Sequence, residues 1–556
     1  MAKRPKKVSK KQADEQQQSG GATLLIKMLC EEVHCRAFRT KTGRTYVEVE
    51  VDGHTEVWPT RSSGCRNFLR KLYYDRYGYK GIRKDSIDQV LEFLEARSLY
   101  EGYTAEVHDR IAKAGDDIYY DLVHDEWKVI HIDNKGFRVV DEAPVYFQRH
   151  RHQQSQVEPD QKAAHTFEDF FRLTTITEED ERLLLSVYIV SCFIPDIPHP
   201  LLYIFGEEGS MKSTLSRMVR KIIDPAEPCT FTLPKGIPDL VQQLAHHYFP
   251  IYENVSYISH AISDALCRAI TGEGFSKREL YTNEDDLLFS YRRPVGINGI
   301  PLAVSKPDLL DRCIFFELYR IADEKRRPER EIWDEFHRIL PGLLGHIFQI
   351  VSKSLTIREF VELKKLPRMA DFALWGAAIA QAMGHDHYRF LNAYYQNLSQ
   401  KQEELIGNNS LLFALHSFMQ GRSEWEGTPA ELYSQLSDEA EQMDISTYAR
   451  DWPGSPAALS SRLSTYATTL KSLGISIERR KGTKGMRSIT IRRHTESTAS
   501  SATQSQDAAP GNGKVGGEHD GDYKEESPPV SPLKKSQGKA NNEHSGEGGD
   551  VEGATR

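Results

Sequence analysis

The chain has 556 residues, 39% hydrophobic and 27% charged, with a net charge of −8. That length holds three or four domains of about 150 residues, and its ordinary globular composition argues against a fibrous or wholly disordered chain. Seven scattered cysteines with no CxxC pair argue against a disulfide framework or zinc ribbon and point to a reducing, cytoplasmic setting. The tightest ligand group, Cys30, His34 and Cys35, lacks a second pair nearby.

Residues 1–22 read as a disordered basic arm. Within them, residues 1–19 hold 6 Lys/Arg against 2 acidic residues and no apolar stretch follows, so no signal peptide is expected. Such an arm can touch nucleic acid or simply aid solubility.

Residues 23–150 read as an N-terminal α+β domain. "RTYVEVEVDGHTEVW" alternates with period two around an Asp-Gly turn, a hairpin signal. "SIDQVLEFLEARSL" has helical spacing, and short strands follow between 117 and 140. The acids Asp116, Asp117, Asp121, Asp125 and Asp133, with His131, read as turn and strand-edge residues, because no second carboxylate cluster completes a two-metal site. The polar stretch 148–161, with His150 and His152, reads as a solvated linker.

The next region, 165–350, alternates helix and strand. Its apolar run at 183–194 has 12 residues before Pro195, short of the roughly 18 needed for a membrane span, so a buried helix and no membrane partner are expected. "PLLYIF" then delivers the chain to "GEEGSMKST", and "LSRMVRKII" continues as a helix. Strand, tight loop and helix N-terminus in that order suit a phosphate site, because backbone N–H groups and the helix dipole both favour an anion. The loop comprises Gly206, Glu207, Glu208, Gly209, Ser210, Met211, Lys212, Ser213 and Thr214. Lys212 is placed to reach the β/γ-phosphates of ATP and Ser213 to ligate Mg²⁺. Met211 stands where the GxxxxGK[ST] pattern has its last glycine.

An acidic strand end should follow. "HHYFPIYENVSYIS" supplies Glu253, suited to hold Mg²⁺ through water, and Asn254, whose amide cannot accept a proton but can orient water. The alternative is a strand end with two exposed polar residues. Lys277, Arg278, Arg292 and Arg293 flank a hairpin at 279–291, and "RPVGING" ends at Asn298, placed to sense a γ-phosphate. Arg312 opens a further apolar strand. It can reach a nucleotide in an adjacent subunit or pair with Asp308 or Asp311.

These residues carry a resemblance. The run "GEEGSMKSTLSRMVRKIIDP", "YENVS", "DALCRAITGEGFSKRELYT", "INGI" and "PDLLDR" resembles the AAA+ ATPase core of superfamily 3 helicases. More closely, it is similar to prophage and genomic-island ATPases described as DNA primase/helicase-like. The resemblance implies an α/β P-loop NTPase core in which Lys212, Ser213 and Thr214 bind nucleotide and Mg²⁺ and Glu253 is the Walker B acid. It also implies that Asn298 is sensor 1, Arg312 an arginine finger and 279–291 a DNA-contacting hairpin. Arg278 is then trans-acting or DNA-contacting. Family members assemble as rings, most often hexamers.

Residues 351–407 read as a helical lid or connector. In 408–493, two helices precede a hairpin bearing Arg479, Arg480, Lys481, Lys484, Arg487, Arg492 and Arg493, a winged-helix-like pattern with its wing near DNA phosphates. Residues 494–556 hold 11 acidic against 6 basic residues with one aromatic, Tyr523, and read as a disordered tail. The functional expectation is an ATP-dependent DNA helicase or translocase in replication of a phage or mobile genetic element. The alternative is an ATP-switched origin-binding or regulatory protein that hydrolyses slowly and does not unwind.

Overall fold

The computed structural model describes residues 20–493, other than 52, 79–80, 279–285, 290–291, 300–305, 323, 325, 444, 448–451, 468–469, 471–474 and 482–486. The arm at 1–19, the tail at 494–556, the tip of the 279–291 hairpin and Lys484 therefore lie outside the described residues.

The N-terminal unit contains α1 (Gly21–Glu31), β1 (Cys35–Arg39), β2 (Thr45–Val51), β3 (His54–Pro59), α2 (Ser63–Tyr77), α3 (Lys84–Tyr100) and β4 (Tyr103–Thr104). The sheet order is β3-β2-β1-β4, and Val51 pairs with His54, giving the two-residue hairpin loop that the Asp-Gly pair predicts. Alternate residues of β2 face α1 and α3, where Val47 and Val49 join Leu25, Leu69, Ile87 and Leu91 in one buried cluster.

The expected boundary at 150 is displaced. After β5 (Val107–His108), the meander β6 (Ile111–Ala114), β7 (Asp117–Asp121), β8 (Val129–Asp133) and β9 (Gly136–Val140) puts Tyr120, Ile130 and Phe137 into the large central core. Phe348 meets Tyr120 and Phe137 at ring distances of 5.7 and 5.6 Å. Beyond β10 (Tyr146–Phe147), the stretch 148–161 is a packed strap instead of a solvated linker. Gln153 and Gln156 are buried, and Gln156 donates to the Lys221 carbonyl at 2.9 Å. Its polarity reflects hydrogen bonds to buried backbone, which composition alone does not distinguish from solvation.

The central region begins with α4 (Phe167–Phe171) and α5 (Glu179–Ser191), whose apolar run is wholly buried. No helix among the described residues is long and apolar enough to cross a membrane. The chain continues through β11 (Leu201–Gly206), α6 (Lys212–Ile223), α7 (Ile237–His246), β12 (Ile251–Val255), α8 (His260–Thr271), β13 (Phe275–Arg278), β14 (Asp286–Phe289), β15 (Gly296–Gly299), α9 (Pro307–Leu310) and β16 (Cys313–Leu318). Four strands form a parallel sheet of order β12-β15-β11-β16, and β13 pairs with β14 as a separate antiparallel hairpin. The near-continuous apolar character of "LLYIF" and "CIFF" follows from burial on both faces. Three helices close this region: α10 (Glu329–Arg358), α11 (Ala370–Ala382) and α12 (His387–Asn408). Because α10 runs unbroken through residue 350, the expected division between core and helical connector falls inside a single helix.

The C-terminal region has its own core, with Leu415, Leu432, Leu459, Leu463 and Ile491 among its buried residues. Its order is α13 (Ser410–Met419), β17 (Glu424–Gly427), α14 (Pro429–Gln442), α15 (Pro456–Thr465), β18 (Ile475–Lys481) and β19 (Arg487–Arg493), with an antiparallel sheet β17-β19-β18. Helix α13 and strand β17 add to the two helices and hairpin read from the sequence.

Candidate functional site

The loop between β11 and α6 lies at the C-terminal end of the parallel sheet, the edge at which open α/β sheets bind ligands. Gly206 has φ 139°, and a Cβ there would collide with the Leu318 carbonyl, so only glycine lets β16 run so close. Ser210 is buried and its hydroxyl donates to the Glu207 carbonyl at 2.8 Å, bracing the loop from within. Met211 takes φ 67°, ψ 20°, the left-handed conformation for which a glycine is usual, and serves as N-cap of α6. Its side chain packs against the central core, an apolar contact that offsets backbone strain.

Lys212 folds back over the loop, its Nζ donating to the carbonyls of Gly206 at 2.9 Å and Glu207 at 2.5 Å. Burial holds its ammonium below the usual lysine range, with Glu208 opposing that shift. Ser213 and Thr214 follow in the first turn of α6, both half-buried.

Glu253 and Asn254 sit at the end of β12, where the pairing with β15 slips between Tyr252 and Val255 and Asn254 takes φ 54°. Asn298, at the end of β15, is 1% exposed and joins three segments. Its Oδ1 accepts the Asn254 backbone N–H at 3.0 Å, and its Nδ2 donates to Ser216 Oγ at 3.0 Å and Glu253 Oε1 at 3.4 Å. Ser216 in turn donates to the Lys212 carbonyl at 2.8 Å. The structure thus brings Lys212, Glu253, Asn254 and Asn298 into one connected cluster at adjacent strand ends.

Sequence reasoning missed three of its members. Ser216 stands one helical turn after Lys212, a spacing that could have marked it. Arg217, next to it, places Nη2 3.5 Å from Glu253 Oε2. Arg326 lies against the loop, its Nη2 3.4 Å from where a Cβ on Gly209 would stand. That approach depends on the path from β16 to α10 and has no local signature.

Other expected site residues are placed differently. Arg312 pairs within its own chain, with Asp308 Oδ2 at 2.6 Å, and this was one of its two open readings. Burial opposes charge on Asp308, but Arg312, then the Cys267 thiol and Arg368, hold its pKa down to about 2. Arg293, expected beside nucleic acid, has a side chain 14% exposed that is ion-paired with Asp109 and donates to the Leu244 carbonyl at 3.2 Å. A segment of paired basic residues looked like an exposed flank, yet Arg293 lies where α7 and the β5–β6 turn meet. Arg292 donates to the Asp196 carbonyl and remains exposed. Lys277 and Arg278 lie on β13, with Arg278 in register with Asp286.

In the C-terminal hairpin, Arg479 and Arg480 lie on β18 and are exposed. Arg479 bridges to α15 through Ser464 and the Ser460 carbonyl, and Arg480 lies 3.7 Å from Glu478. Lys481 and Arg487 are the backbone partners that close the described part of this hairpin. In the acidic stretch of β7 and β8, Asp121 is fully buried against Arg149 at 2.6 Å, and Asp117 pairs with His131 at 2.7 Å. Both are structural pairs.

Family models place the chain in one class, replication proteins of mobile elements. Residues 167–403 match the actinomycete integrative conjugative element replication protein, RepA, and residues 411–506 match the RepA C-terminal domain. Together these matches take in more than half of the chain, which belongs to this replication-protein family. Among solved structures, an apo A form of the NrS-1 C-terminal region is 10% identical with a TM-score of 0.38, covering 86% of this chain and 100% of that one. An apo structure of NrS-1 residues 305–718 is 11% identical with a TM-score of 0.38, covering 85% and 99%. No curated protein matches the chain.

Proposed function

We propose that this replication protein binds ATP with Mg²⁺ at the loop 206–214 and couples hydrolysis to movement along DNA, as a P-loop ATPase of the AAA+, superfamily 3 type. The observation that carries the reading is the Asn298 amide, which ties the acidic end of β12 to the helix that begins at Lys212. A buried amide shared among a carboxylate, a backbone N–H and a helix serine holds those elements in one register, as a site that responds to a terminal phosphate requires.

The donor set suits the ligand. Lys212, whose hydrogen bonds are to loop carbonyls, would exchange them for β/γ-phosphate oxygens, and its lowered pKa reflects the burial that strengthens such a contact. Ser213 and Glu253 supply the oxygen ligands that Mg²⁺ prefers, and Thr214 stands beside them. Bound Mg²⁺ would offset charge on the phosphates as the terminal bond breaks. Asn254 orients water without accepting its proton. We read the order helix, strand, helix, helix, strand, strand of the C-terminal region as a winged helix, whose hairpin residues Arg479, Arg480, Lys481, Lys484 and Arg487 would supply cations for DNA phosphates. Assembly as a ring, a hexamer in the leading reading, would require Arg312 to exchange Asp308 for a neighbour's nucleotide.

The test is Lys212→Ala in the full chain. It is expected to abolish DNA-stimulated ATP hydrolysis and strand displacement, and unchanged hydrolysis would reject the site. A second reading, an ATP-switched DNA-binding protein that does not unwind, is favoured by Asn254 and by the Arg217 contact to Glu253. It predicts ATP-dependent assembly on DNA with hydrolysis too slow to drive displacement.

A further inference from the structure

We propose that the outer face of α2, in the N-terminal unit that neither family match reaches, is a second DNA-binding surface, which docks in the major groove of duplex DNA. Among the described residues, helix α2 packs into the fold through one face. Cys65, Leu69, Tyr73 and Tyr77 form its buried stripe. The opposite stripe, Asn67, Arg70, Lys71 and Tyr74, follows at i, i+3, i+4 and i+7 and is exposed, Tyr74 at 40%. The helix is anchored at both ends: Ser62 accepts the Cys65 N–H at 3.2 Å, and Gly78 closes the C-terminus in the left-handed conformation.

Charge selects the occupant. Residues 61–84 hold 8 Lys/Arg against 1 acidic residue, Asp75, in a chain whose net charge is −8. Acids of α3 and the residue capping α1 neutralise three of these cations: Arg61 with Glu95 and Arg66 with Asp88, both at 2.5 Å, and Arg76 with Glu32 at 3.4 Å. Arg70 bonds only its helix neighbour Asn67, at 3.2 Å, and among the described residues neither Arg70 nor Lys71 has an acidic partner. The pairs therefore fix the sides of the helix and leave the central stripe basic. At the start of α3, Arg83 and Lys84 are also exposed.

A helix about 10–12 Å across matches a major groove about 12 Å wide, whereas a single strand offers no groove of that shape. The Asn67 amide offers a paired donor and acceptor and Arg70 a pair of donors, both able to read base edges, while Lys71, Arg83 and Lys84 suit flanking phosphates.

The test is Arg70→Ala/Lys71→Ala in the full chain, without nucleotide, so that its outcome does not depend on the ATPase reading. A fluorescein-labelled 30-base-pair duplex and a 30-nucleotide single strand are titrated by anisotropy between 50 and 300 mM KCl. Loss of two phosphate or base-edge cations is expected to weaken duplex binding about tenfold or more. It should also lower the slope of log K against log salt by up to about 2. Single-strand binding should change less than threefold, and the melting temperature should stay as in the unsubstituted chain. Unchanged duplex affinity and slope would overturn the proposal. So would an equal loss on both probes, which would make the face a general polyanion surface, or a loss accompanied by a fall in melting temperature.

Discussion

Met211 and Asn254 share an uncommon backbone conformation, with φ of 67° and 54° at the two points where the candidate site turns sharply. For most L-residues that region costs about 1–2 kcal/mol; Asn visits it more readily because its short side chain can bond locally. Asn254→Ala is therefore expected to lower stability by about 1 kcal/mol, while Asn254→Gly should retain most of it. Thermal melts of the two variants distinguish them, and equal losses would show that the side chain, not the backbone, matters. Met211 was legible as the departure from a glycine pattern. Its side-chain contact with the central core was not, because that contact is made with residues distant in sequence.

At the scale of elements, Asn298 joins β12, β15 and α6. Removing its amide leaves the Asn254 N–H without its acceptor and frees the end of β12. A buried group left unsatisfied costs about 1–3 kcal/mol. Asn298→Ala is expected to slow hydrolysis at least tenfold while nucleotide Kd changes less than about threefold, since the residue contacts none of the phosphate-loop side chains. Single-turnover hydrolysis and equilibrium binding of a fluorescent ATP analogue separate the two effects. An equal loss in both would assign Asn298 to nucleotide binding. The strands, helices and their order were readable from apolar runs and turn residues. The placement of Asn298 beside both Glu253 and Ser216 was not, because sequence does not state that β15 lies between β11 and β12.

At the scale of the whole molecule, the meander β6–β9 and the strap 148–161 clamp the far end of α6 to the central core. Arg110 and Arg220 each bond Asp224 at 3.1 Å, and all three side chains are fully buried. Burial works against charge on Asp224, yet Arg220 and Arg110 hold its pKa to about 2. Asp224→Ala strands two buried guanidinium groups and is expected to cost about 3–5 kcal/mol, read as a fall in denaturation midpoint.

Beside these residues, the His152 and His247 rings lie 3.7 Å apart, tilted at 42°, and His247 Nδ1 faces Arg220 Nη2 at 3.2 Å, with His150 and His246 next to them. Burial, followed by the charge of Arg220, pushes His247 down to about 2. Burial, followed by His150, pushes His152 down to about 4. The folded chain therefore binds fewer protons than the unfolded one below the ordinary histidine pKa. Stability from these groups is full above about pH 6.5 and is lost as the pH falls toward 4, by up to about 1.4 kcal/mol per unit for each histidine. Urea denaturation midpoints at pH 7.5, 6.5 and 5.5 should fall in that order. A flat profile would show that the two rings are not held neutral.

The sequence by itself determined the periodicities of strands and helices, the phosphate-type loop and the basic C-terminal hairpin, because each depends on neighbours a few residues apart. It also marked Glu253, Asn254 and Asn298 as strand-end polar residues. Only the tertiary structure decided that one face of the β6–β9 meander joins the central core, that Arg293 pairs with Asp109, that Arg217 approaches Glu253 and that Arg326 approaches the loop. It alone turned one basic helix face outward with its flanking charges neutralised. Those outcomes depend on which distant surfaces exclude water together, and burial of that kind leaves no local pattern in the chain.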